Sequence, residues 1–144
     1  MKRIVTSILS MVIVLSLALP ASASDMQVNA SDYISSYSAS VQADGGGDIT
    51  IYFDIVGIGC MDQIGATEIY LYEKNGTLTK LVATYSYTDS AYADAMMGYD
   101  VYWKMGNVSY DGISGREYYA RVYYISGVNG GSDTRSQLTK TITA

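Results

Sequence analysis

From residue 33 to the end of the chain, apolar and polar positions alternate with a period of two. That alternation is the mark of β-strands with one buried face. Residues 33–42 set Tyr33, Ser35, Tyr37, Ala39 and Val41 against Ile34, Ser36, Ser38 and Ser40. After the flexible turn Asp44-Gly45-Gly46-Gly47-Asp48, residues Ile49, Ile51, Phe53 and Ile55 point inward, with Thr50, Tyr52 and Asp54 outward. Residues 68–73 place Ile69 and Leu71 inside and Tyr70 and Tyr72 outside. Asn75-Gly76 supplies residues with φ > 0 for a tight hairpin, and residues 78–87 return. Residues 88–99 make a polar connection with room for one helical turn. A strand over 100–110 carries Val101, Trp103 and Met105 on one face, with Gly106 as a bulge. Strands over 116–125 and 135–143 follow, the last alternating less cleanly because Lys140 shares parity with Leu138 and Ile142. Seven short strands at roughly eight- to twelve-residue spacing predict an all-β, single-domain antiparallel sandwich.

Composition adds a compartment. Lys2 and Arg3 precede a largely apolar stretch, Pro20 interrupts it, and Ala21-Ser22-Ala23 is a small-x-small site. The expected organisation is therefore a signal peptide over 1–23, a short linker over 24–31 and a β-sandwich domain over 32–144. The apolar stretch is shorter than the ~20 residues that span a bilayer, and no cysteine stands at the cleavage point for a lipid anchor. The mature protein is expected to be secreted, extracellular and not inserted in the membrane. Without Lys2 and Arg3 the basic residues fall from 9 to 7 against 14 acidic ones, a net charge of about −7. Such a charge repels nucleic acid and anionic membrane surfaces and argues against both as partners. The lone Cys60 cannot form an internal disulfide and is expected to be a small buried hydrophobe.

The residue inventory restricts chemistry. There is no histidine, which removes the usual general base, the commonest zinc ligand and every Ser-His or Cys-His pair. The glutamates are Glu68, Glu73 and Glu117, a small stock for a carboxylate-pair hydrolase. No enzyme activity and no cofactor are expected. Two loops offer hard oxygens of the kind calcium requires: Asp44 and Asp48 around three glycines, and Asn129 and Asp133 around Gly130-Gly131-Ser132. Neither follows an EF-hand pattern, and Asp, Asn and Gly are ordinary turn residues, so no metal is assigned.

The densest feature is GREYYARVYYISGVNGGSD, residues 115–133, in a chain with 15 tyrosines, one tryptophan and one phenylalanine. Parity puts Tyr118, Ala120, Val122 and Tyr124 on one face and Tyr119, Arg121, Tyr123 and Ile125 on the other. The first set is the core face. Tyr118, after a glycine turn and before small Ala120, matches the tyrosine corner of immunoglobulin-like sandwiches, whose hydroxyl bonds backbone a few residues upstream. Tyr118, Ala120, Phe53 and Trp103 are accordingly the expected structural residues. With these features the chain resembles fibronectin type III-like sandwiches. More narrowly, MDQIGATEIYLYEKNG, VATYSYTD, SGREYYARVYY and NGGSDTR resemble a family of small secreted bacterial proteins of uncharacterised function, over residues 31–144. The resemblance implies secretion and architecture, and no catalytic residues. It departs from ordinary fibronectin modules in lacking their prolines and in having Phe53 in place of a tryptophan in the second strand.

The outward tyrosines carry two readings. If the third and sixth strands are neighbours, Tyr70, Tyr72, Tyr119 and Tyr123 share one outer face. Cross-strand aromatic pairs stabilise sheets by about 0.2–1 kcal/mol each. The same rings form a contact surface of the kind found in binding paratopes. The two readings are compatible. They lead to a non-catalytic, monomeric binding or adhesion module for an extracellular protein or glycan, with a self-assembling envelope or matrix component as the alternative.

Overall fold

The computed structural model describes residues 31–144; the expected signal peptide and all of the linker before Ser31 lie outside them. The described chain is almost entirely antiparallel β. Its strands are β1 (Ile34–Gly45), β2 (Asp48–Met61), β3 (Gln63–Asn75), β4 (Leu78–Ser86), β5 (Met97–Gly98), β6 (Val101–Asp111), β7 (Glu117–Val128), β8 (Gly131–Leu138) and β9 (Ile142–Thr143). One helical turn, α1 (Ala93–Met96), interrupts them. Periodicity led to an expectation of seven strands; the described residues hold nine, of which β5 and β9 are two residues long. No helix among the described residues is long and apolar enough to cross a membrane.

The strands form two sheets. β1-β2-β6 makes the smaller one, and β4-β3-β7-β8 the larger, with β5 on β3 and β9 on β7. The inward residues of both meet in one core. Ile49, Ile51, Phe53 and Ile55 from β2 face Ile69 and Leu71 from β3 and Tyr118, Ala120, Val122 and Tyr124 from β7, all at most 2% exposed. Each fully buried isoleucine or leucine contributes about 1.5–3 kcal/mol by leaving water. In β1 the inward parity changes: Tyr37 and Val41 are buried, and so is Ile34, because a bulge at Ser35 shifts the register. Met96 and Met97 of the 88–99 connection also enter the interior.

Tyr118 is fixed as the corner requires. Its hydroxyl accepts a hydrogen bond from the Ile113 N–H at 2.9 Å and donates to Glu73 Oε2 at 3.1 Å. Arg116 holds the other oxygen of Glu73. The tyrosine thereby ties the loop between β6 and β7 to β3.

Several expectations are corrected. Gly106 is not a bulge, since β6 stays in register with β2 through the pair Phe53↔Gly106. A Cβ there would lie 2.1 Å from the Ala95 carbonyl oxygen and 2.5 Å from Phe53 Cζ, so the glycine serves close approach. Trp103 and Met105 are not in the core. They stand on the outer face of the smaller sheet, 44% and 62% exposed, because the inward positions of this edge strand are Lys104, Gly106 and Val108. Cys60 is exposed rather than buried. It lies where β2 loses register with β6 between Val56 and Met61, beyond the last regular inward position. The strand expected over 135–143 is split: β8 begins at Gly131 and stops at Leu138, Thr139 turns inward and accepts from the Ala120 N–H, and β9 takes Ile142–Thr143.

The hairpin between β3 and β4 turns on Gly76-Thr77, and Asn75 lacks the positive φ expected of it. Asn129-Gly130 between β7 and β8 has φ > 0 at both centres, the type I′ pattern, and so does Gly46-Gly47 between β1 and β2.

Candidate functional site

β3 and β7 are the two central strands of the larger sheet, and their pairing register decides what its outer face displays. Tyr72 pairs with Tyr119, Tyr70 with Arg121, and Glu68 with Tyr123. On the flanks, Leu81 and Thr84 of β4 and Leu138 and Ser136 of β8 extend these rows. The four outward tyrosines are thus brought together, each partly exposed. Tyr72 and Tyr119 stack with ring centroids 5.1 Å apart and planes 16° from parallel. Tyr70 and Tyr123 meet edge to face at 5.5 Å. Both arrangements are favoured by the quadrupoles of aromatic rings. The pairs restrict the rings on the sheet surface.

Charge on this face is sparse. Tyr70 donates its hydroxyl to Glu68, which raises the Tyr70 pKa above its ordinary value of 10.0. Lys74 and Glu117 pair with each other at 3.7 Å. Arg121 stands between Tyr119 and Tyr123 along β7. Among the described residues its guanidinium has no carboxylate within ion-pair distance and no hydrogen-bond partner. The parity of β7 had placed Arg121 among the outward residues, but nothing in the sequence distinguished it from a solvated surface charge.

Beside Tyr123 an open hollow of about 560 Å³ is lined by Thr67, Thr134, Ser136 and Arg135, together with Tyr37 and Tyr124. Its rim is rich in hydroxyls. Arg135 is engaged with Asp133. The Asp133 carboxyl is held below the usual carboxylate range, first by a hydrogen bond from Ser31 and then by Arg135 and the Thr134 N–H.

Three of the four loop residues considered for calcium, Asp44, Asn129 and Asp133, make hydrogen bonds. The Asp44 carboxylate accepts from the Thr50 hydroxyl at 2.6 Å. Asp48 is exposed beside the β1–β2 turn. Asn129 occupies the β7–β8 turn, and its N–H donates to Asp62 at 2.8 Å. Among the described residues no three His, Cys, Asp or Glu side chains converge as metal ligands. The four loop residues lie in two separate hairpins.

Comparison of the chain with protein-family models, with curated proteins and with solved structures finds no match.

Proposed function

We propose that the protein is a secreted, non-catalytic binding module that acts at or near the bacterial cell surface and holds an extracellular partner against its outer tyrosine face. One observation carries the reading: Tyr70, Tyr72, Tyr119 and Tyr123 converge on one partly exposed sheet face, already paired ring to ring. Rigid aromatic groups supply contact area at low conformational-entropy cost, and rings fixed before binding lose little more freedom on binding.

The architecture proposed for the module is fibronectin type III-like. The order β1-β2-β6 facing β4-β3-β7-β8 supports it, as does the Tyr118 hydroxyl reaching backbone five positions upstream at Ile113. The test is capture of cell-surface extracts and cell-wall glycans by the purified protein, beside a variant with all four tyrosines changed to serine. Capture lost in a variant that still melts cooperatively supports the reading, and equal capture by both proteins refutes it.

A second reading, a self-assembling envelope or matrix component, is favoured by the exposed Cys60 and by Leu78 and Leu81, exposed on the edge strand β4. It requires a mass that rises with protein concentration or a dimer that thiol reagents dissolve. A monomer under both conditions removes it.

A further inference from the structure

The tyrosine face carries information about what it binds. β3 and β7 are each hydrogen-bonded to a strand on both sides. No backbone group of these two strands is free to add an extended peptide as a further strand, the common way in which a sheet takes a polypeptide; the open edges belong to β4 and β8, outside the four tyrosines. Over β3 and β7 recognition falls to side chains. Those side chains are four phenols, one guanidinium without a counter-ion among the described residues, and a rim of hydroxyls around the hollow beside Tyr123. Phenol faces suit the C–H faces of sugar rings, hydroxyls suit sugar hydroxyls, and a planar guanidinium fork suits a carboxylate.

We propose, on the footing that the tyrosine face is the binding surface, that its partner is an acidic polysaccharide whose carboxylate is held by Arg121 while its rings lie on the flanking tyrosines. Other charged groups around the face fit this arrangement. Lys74 and Glu117 neutralise each other. Glu68 is occupied by the Tyr70 hydroxyl and lies one row away from Arg121, toward Tyr123. The anion is therefore expected on the Tyr119 side. The full chain carries a net charge of −5, about −7 without Lys2 and Arg3, and repels polyanions in general. Affinity must then come from one local contact and ring stacking, and it is expected to respond only modestly to salt.

The test is calorimetric titration of the purified protein with polygalacturonate, polymannuronate and hyaluronate. Two control probes accompany them: polygalacturonate with its carboxyls methyl-esterified, and poly-glutamate. At least one polyuronate is expected to bind, and esterification to weaken that binding about tenfold, the effect of losing one charge-assisted hydrogen-bonded contact. Arg121→Gln should bring the acid form down to the level of the ester and leave the ester unchanged, with an unaltered melt. Equal binding of acid and ester, or an Arg121→Gln protein that still prefers the acid, overturns the proposal. So does poly-glutamate binding as tightly as the polyuronates, which would make the partner an acidic peptide. If no polyuronate titrates but tyrosine-dependent capture of surface material persists, the acidic-sugar inference falls and the binding-face reading stands. If neither occurs, both fall.

Discussion

Changing Tyr118 to Phe removes one oxygen from the interior and disturbs two partners at once. The ring is fully buried, and its hydroxyl serves both the Ile113 N–H and Glu73 Oε2. Phenylalanine fills the same space, so the cost is that of unmet hydrogen bonds rather than a cavity. The Ile113 N–H loses its acceptor outright. Glu73 retains Arg116 but has a side chain only 11% exposed, leaving water little room to replace the phenol. Losing a partner from such groups costs about 1–3 kcal/mol, and two affected groups place the expected value near ~2 kcal/mol. For a domain of this size that is a fall in Tm on the order of 10 °C. Urea unfolding of Tyr118→Phe, Glu73→Gln and the double variant would measure the loss and the coupling between the two residues. Tyr119→Phe is the internal control, because its hydroxyl has no hydrogen-bond partner among the described residues, and its change should stay within about 0.5 kcal/mol. A Tyr118→Phe loss no larger than that of the control would refute the claim that this hydroxyl holds the β6–β7 loop.

Three further outcomes are expected. Gly106→Ala should destabilise by about 1–3 kcal/mol or more through overpacking against Phe53 and the Ala95 carbonyl; unchanged urea unfolding would contradict the close approach. Alkali should weaken the fold, because burial pushes the Tyr85 phenol up to about 12 and raises Tyr124 as well, while unfolded phenols titrate near 10.0. Above pH 10 the unfolded state then binds fewer protons than the native one, so the stability present below that pH is lost as pH rises toward 12; a flat urea midpoint from pH 9 to 11 would count against it. Finally, Cys60 should react with one equivalent of a thiol reagent without denaturant, and Cys60→Ser should change stability by less than about 0.5 kcal/mol; protection of the thiol in the native state would show that it is covered.

Where a strand is central and packs on one face, period-two alternation reads directly as burial. That is why the inward residues of β2, β3 and β7 were legible from sequence. Edge strands escaped the same logic. β6 has a neighbour on one side only, and its largest apolar residues, Trp103 and Met105, face outward while Gly106 takes the core position against Phe53. Cys60 looked apolar enough to bury, but alternation carries no notice of the register loss after Val56. The Asn-Gly signal appeared twice in the chain, and only at Asn129 does it take the expected turn, because strand register decides which two residues are central. At the candidate site, parity put the tyrosines on the outer face of their strands. Only the long-range pairing of β3 with β7 shows which rings touch, and only the surrounding charges show that Arg121 has no counter-ion among the described residues.

That long-range pairing also bears on how the protein comes into being. The hairpins β1–β2 and β3–β4 join near neighbours in the chain, whereas Gln63 meets Gly127 and Asp48 meets Asp111, each some sixty positions away. Closing such distant contacts before any packing rewards them makes sandwiches slow folders, on the scale of milliseconds to seconds. Tyr70 and Tyr72 lie on one side of that closure and Tyr119 and Tyr123 on the other. A nascent, truncated or half-folded chain holds each pair of rings separately and never all four in place. The assembled four-ring face is therefore a property of completed molecules alone, and its presence marks a chain whose folding has finished.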